Sequence, residues 1–209
     1  SSPREASAEA PQSANQPISQ SALRPFHAEQ YPLAEEDFEA IAARTGRTPK
    51  QNNILLIGSE GEAGVTITEM FARQCGLGVG DTFHIRRKER DGTVRTLPLT
   101  VTAVRRVNWH LFTARAKLRA RNGAPFGTLG PVFVGTEAFR AWDPARADRI
   151  RFLWATLPKA SGDAALYSLS DRLELALQRL ADRDAAARPY VASLFGAPPR
   201  LSLIHISEP

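Results

Sequence analysis

Four groups of residues in this 209-residue chain have the types and spacing to do chemistry: a glycine-rich loop, a lone thiol, four histidines and a run of alternating cations. The loop, "IGSEGEAGVT" from Ile57 to Thr66, lies between an apolar run and a helical pattern, the context in which backbone amides cradle a phosphate. It lacks the lysine and following hydroxyl that a phosphate loop needs, and Glu60 and Glu62 would repel the ligand, so nucleotide binding is not expected there. Gly76, Gly78 and Gly80 lack the preceding strand of a dinucleotide loop. Cys75 cannot form an internal disulfide and sits at an expected helix end in "MFARQCG", which predicts a buried, inert thiol. No Gly-x-Ser-x-Gly elbow occurs, and His27, His84 and His110 fall in a linker, a strand and a loop without the arrangement of a triad or a metal site. The expectation is a chain that is not an enzyme, with no catalytic residues, metal or cofactor of its own.

The strongest candidate for contact with a partner is "VRRVNWHLFTARAKLRARNGAPFG". Arg115, Lys117, Arg119 and Arg121 alternate with small or apolar residues, so an extended segment would project four cations on one face beside Trp109 and Phe112. Such a surface can bind nucleic acid, and it is equally the pattern of a solvated strand face, an ion-paired face, or a lipid or protein contact. Charge distribution leaves the same choice open. Residues 1–53 hold five Lys/Arg against seven Asp/Glu, residues 54–160 seventeen against nine, and the remainder five against six, for a net charge of +5. A basic centre attracts nucleic acid, anionic headgroups or acidic proteins alike.

The elements that must position these residues are legible in part. Residues 1–33, rich in Ser, Ala, Pro, Gln and Glu, read as a disordered linker in which Leu23, Phe26 and Tyr31 are too isolated to build a core. "AEEDFEAIAAR" predicts a helix with acids in its first turn, ending near Gly46. "NNILLIG" predicts a buried strand at Ile54 to Ile57, and a second helix is expected over roughly Thr66 to Gln74. Gly76 suits a left-handed cap, with Gly80-Asp81 turning the chain into a strand from Thr82 to Lys88. Asp91-Gly92 signals a two-residue hairpin, and the return strand Val94 to Val104 changes parity near Pro98, where a bulge or an edge position is expected. Strands at Val132 to Val134 and in "RIRFLWATLP" follow, then a long helix capped by Ser161 or Asp163 whose buried stripe is Leu166, Leu169, Leu173, Leu177 and Leu180. The sum is an α+β fold with a mixed β-sheet or small barrel-like core and flanking amphipathic helices.

A core domain over 34–185 is thus expected, followed by an irregular segment over 186–200. The final stretch, "LSLIHISEP" from Leu201 to Pro209, is similar to the translation of a transposon-end adapter used in sequencing libraries, and is read as an artefact. No run of about 18 apolar residues is present to span a bilayer.

Taken in order, "ILLIGSEG", "MFARQCGLGVGDTFHIRR", "LTVTAVRRVNW", "GPVFVGTEAF" and "RIRFLWATLPKASGDAALYSLSDRLELAL" resemble the extracytoplasmic core domain of FtsX-like and MacB-like ABC transporter permeases, over about Ile54 to Leu180. The resemblance implies a truncated fragment of a bacterial inner-membrane protein, this segment lying in the periplasm. It also implies flanking membrane helices that dock on a cytoplasmic ATPase subunit, which binds the ATP, and a second permease copy. The partner is then an envelope lipid, lipoprotein, peptide or other protein, with no nucleic acid expected. The helix-Gly-x-Gly-Asp-strand turn occurs as well in barrel domains of molybdopterin enzymes, so a barrel domain of a larger enzyme is the alternative, alongside a basic nucleic-acid-binding module.

Overall fold

Four consecutive side chains, Ile54 to Ile57, are wholly excluded from solvent in strand β2 (Asn53–Ser59), which fixes it in the interior of a sheet covered on both faces. The computed structural model describes residues 18–19, 22–107, 127–156 and 162–196. Within them β2 lies between β1 (Leu23–Pro32), antiparallel, and β6 (Pro131–Gly135), parallel. Strands β3 (Val65–Thr68), β4 (Thr82–Lys88), β5 (Val94–Arg105) and β7 (Phe152–Ala155) complete a mixed sheet in the order β4-β5-β3-β6-β2-β1-β7.

The sheet curls until the end of β1 reaches the edge strand β4. Leu33, just past β1, bridges to Ile85 of β4, and Ala34 N–H donates to His84 O at 2.8 Å. Helix α1 (Glu35–Thr45) starts at that seam, and Asp37 accepts the His84 backbone N–H at 2.8 Å. The concave side holds Tyr31, Ile41, Ile54, Leu56, Ile67, Phe71, Phe83 and Ile85 together with Phe139 and Trp142. The last two come from α3 (Thr136–Trp142), which runs into the single turn α4 (Pro144–Ala147). The architecture is α+β with a half-barrel core, as the sequence predicts.

Local chemistry explains the helix ends. Gly46 closes α1 at φ 66°. Thr68 Oγ1 accepts from Phe71 N–H to start α2 (Glu69–Cys75), and Gly76, at φ 64°, ends it while Leu77 folds back with its N–H on Ala72 O. Asp81 then accepts from Gly78 N–H at 2.7 Å, and Gly80 and Asp81 exchange backbone bonds with Val101. The Gly76 to Asp81 turn is thereby bolted to β5 before the chain enters β4.

Several expectations need correction. Leu23–Pro32 is a strand in place of a linker: Leu23, Phe26 and Tyr31 are buried because β1 pairs with β7 through residues 23–26 and with β2 through residues 26–32. Val65–Thr68 is a short strand preceding α2, where a helix was expected from Thr66. The β4–β5 loop has three residues, not two: Gly92 N–H donates to Glu89 O, Gly92 takes φ 87°, and Glu89 N–H pairs with Thr93 O, the pattern of a turn followed by a left-handed bulge residue. Of the two readings for Pro98, the edge position holds and the bulge does not: Pro98 lies opposite His84 where β5 has β4 alone as its partner, β3 joining only from Val101; the register shift falls between Val65 and Thr66, leaving Thr102 as the extra residue on β5. Within 186–200, Ala187–Gly196 is helix α6.

That helix packs with α5 (Asp163–Arg183), whose N-cap is Gly162 and not Ser161 or Asp163. Leu169, Leu177 and Leu180 of α5 join Ala187 and Val191 of α6, Ile150, Leu23 and Ile18 in a second apolar cluster. No helix among the described residues is long and apolar enough to cross a membrane.

Candidate functional site

The six residues expected to meet a partner, Trp109, Phe112, Arg115, Lys117, Arg119 and Arg121, lie outside the described residues. The other candidates can be placed. Glu62 is a clasp: its carboxylate accepts from Thr66 Oγ1 and from Arg105 Nη1, each at 2.9 Å, and its carbonyl oxygen stands 2.7 Å from where a side chain on Gly135 would begin. The loop is thus held by Glu62, while Glu60 is exposed. His27 is buried in β1, stacked on Phe139 at 5.9 Å, with Nδ1 2.7 Å from Arg149 O. His84 Nδ1 lies 3.0 Å from Asp37 Oδ2. Cys75 is fully buried, and desolvation pushes its thiol up to about 12. No group of three metal-ligating side chains occurs among the described residues.

Among the described residues, the densest charged cluster is one that sequence spacing does not reveal. Asp143, 1% exposed at the end of α3, accepts from the Tyr31 hydroxyl of β1 and from Arg146 Nη1 of α4 at 2.8 Å, and lies 3.4 Å from Arg87 Nη1 of β4. Arg87 is held further by Glu89 at 2.6 Å and by the Trp142 carbonyl, and its guanidinium sits 4.8 Å from the centroid of the Trp142 ring. Arg146 Nε is 2.8 Å from Glu29 Oε2, within ion-pair distance. Burial and the hydrogen bond to Asp143 hold the Tyr31 phenol far above its ordinary range, so it remains a donor. Every charge at the centre of this cluster is matched. It rivets β1, the β4–β5 hairpin and the α3–α4 corner together, and it has no spare base or nucleophile.

Two polar depressions open near these elements. One, about 380 Å³, lies over the Asp143 cluster and is rimmed by Lys88, Arg90 and Arg149. The other, about 650 Å³, is formed where α1 and α2 end, and is lined by Arg47, Lys50, Arg73 and neutral polar side chains over Leu129. The larger is lined for recognition of negative charge, whereas the smaller also carries the carboxylates of Glu89 and Asp143. Among the described residues neither holds a nucleophile paired with a base. The chain matches no protein-family model, and no curated protein matches it either.

Proposed function

We propose that this chain is the extracytoplasmic domain of an ABC transporter permease of the FtsX-like and MacB-like kind, which works by moving and performs no reaction of its own. The observation that carries the reading is where the domain receives and returns the chain. Leu23 pairs with Ala155, Thr156 N–H donates to Ala22 O at 2.9 Å, and Ile18 and Leu23 share one apolar cluster with α5 and α6. A domain inserted between two consecutive membrane helices must bring its two ends back side by side in this way.

The mechanism follows from stiffness. A push delivered where β1 and α5 meet passes through β1 to β2 along a seven-residue antiparallel register, and through Tyr31 and Asp143 to the hairpin and the α3–α4 corner. The bolted Gly76 to Asp81 turn carries it on to α2. In this reading ATP is hydrolysed by a separate cytoplasmic subunit, two permease copies close together, and the displaced domain works on an envelope lipid, lipoprotein, peptide or protein. The family part of the proposal rests on likeness of sequence order.

A second reading, a barrel domain within a larger enzyme, is favoured by one feature, the Leu33–Ile85 bridge that curls the sheet. Reading the genomic DNA on either side of the gene separates the two. The permease predicts one apolar segment of about 20 residues upstream and three downstream in the same frame, beside an ATPase gene. A frame that continues into a catalytic domain would overturn it.

A further inference from the structure

The 650 Å³ pocket differs from the rest of the charged surface. Arg47, Lys50 and Arg73 line it with Thr48, Gln51 and Thr128, and no carboxylate is among the described residues that do so. Several cations elsewhere meet acids: Arg86 meets Glu35, Arg105 meets Glu62, Arg140 meets Glu137, and Arg146 meets both Glu29 and Asp143. Cations also gather at helix C-termini for the sake of the exposed carbonyls. At the end of α2 that role is filled by Arg44 Nη2, which donates to Cys75 O, while Arg73 Nε donates to Glu69 O of its own helix. Arg47 and Lys50 stand beyond the Gly46 cap, on neither helix.

The walls are fixed by the backbone. Thr45 Oγ1 reaches Ile41 O at 2.7 Å and Arg47 O at 3.2 Å, Leu33 N–H donates to Asn52 O at 2.8 Å, and Leu129 N–H donates to Asn53 O at 2.7 Å. Three cations around one concavity repel one another until an anion with several acceptor oxygens enters. A tetrahedral phosphate suits two guanidinium forks and an ammonium, and the volume lies in the range of small-ligand sites. We propose that this pocket binds a phosphate group, with Arg47, Lys50 and Arg73 as its donors, carried by a soluble phosphate or by an anionic lipid headgroup. The proposal does not depend on the permease reading.

Isothermal titration of the whole chain with inorganic phosphate, in about 150 mM NaCl, is the first arm of the test. Co-flotation with phosphatidylglycerol vesicles, against phosphatidylcholine vesicles, is the second. The expected result is saturable binding in at least one arm. The exposed triple variant Arg47→Gln, Lys50→Gln, Arg73→Gln should weaken it by at least about tenfold. A control that removes the same charge from the other depression, Lys88→Gln, Arg90→Gln, Arg149→Gln, should leave it within about twofold. Loss confined to the vesicle arm assigns the headgroup, and loss in the phosphate arm alone assigns a soluble ligand. Failure to bind in both arms, or equal losses in the two triple variants, overturns the proposal.

Discussion

Replacing Asp143 with Ala removes the rivet on which three parts of the fold converge. The carboxylate lies 2.8 Å from Arg146 Nη1 and 3.4 Å from Arg87 Nη1, which at an effective dielectric of about 20 corresponds to gross attractions of about 6 and 5 kcal/mol. Desolvation of a carboxylate whose side chain is only 2% exposed cancels most of that sum, so the net contribution of the ion pairs is small. Truncation is a different matter. It leaves the Arg87 guanidinium, 10% exposed, with one fewer counterion, and the Tyr31 hydroxyl without its acceptor. Breaking a buried pair in this way costs about 3–5 kcal/mol, and Arg146, at 37% exposure, is screened enough to place the value near the lower end. Against a typical total stability of about 5–15 kcal/mol that is a large loss. Urea unfolding followed by tryptophan fluorescence should show a lower midpoint with an unchanged slope. Tyr31→Phe should cost about 1.5–3 kcal/mol, and the double variant less than the sum of the singles, because both remove the same hydrogen bond. A cost below about 1 kcal/mol for Asp143→Ala would refute the rivet.

Two further perturbations test the packing. In Gly58→Ala the new Cβ would stand 2.8 Å from Phe139 Cβ, and Phe139 is fully buried, so the strand must shift; the urea midpoint should fall by the equivalent of about 1–3 kcal/mol. The Cys75 thiol, raised by burial from 9.0 to about 12, stays protonated in the fold at pH values where the unfolded chain loses its proton. Its contribution to stability is therefore complete below pH 9 and declines as pH rises from 9 toward about 12, and iodoacetamide should label the native chain at pH 9 only as fast as it unfolds.

What the sequence discloses is what neighbouring residues decide among themselves. The Gly46 and Gly76 caps, the Ile54 to Ile57 run and the amphipathic stripe of α5 are local facts, and the structure repeats them, save that Leu166 and Leu173 of the stripe are only half-buried. Strand β1 hides because its burial is conferred from outside. "LRPFHAEQYP" mixes Arg24, Glu29 and Gln30 with apolar residues, and Pro25 argues against a strand interior. Pro25 is nevertheless tolerated where β1 has β7 alone as its partner, since β2 pairs only from Phe26 onward. Helix α6 hides for a similar reason: ten residues with Pro189 near the start look irregular until α5 supplies an apolar face. The Asp143 cluster could not be read at all, because Tyr31 and Asp143 lie 112 positions apart and no spacing rule links them.

The strand order has a consequence for how the protein is made. Leu23 to Phe26 leave the ribosome well before their partner β7, which begins at Phe152, 129 residues after Leu23. At about 5–20 residues per second, β1 waits roughly 6–26 s with its first three residues unpaired, although β2 follows it closely and can already cover the rest. The β4–β5 hairpin, contiguous in sequence, closes its own contacts long before then. During that interval the nascent chain presents Leu23 and Phe26 at an open strand edge, the feature that invites chaperones or stray strands. Assembly of this fold is complete only when its last third returns to its first.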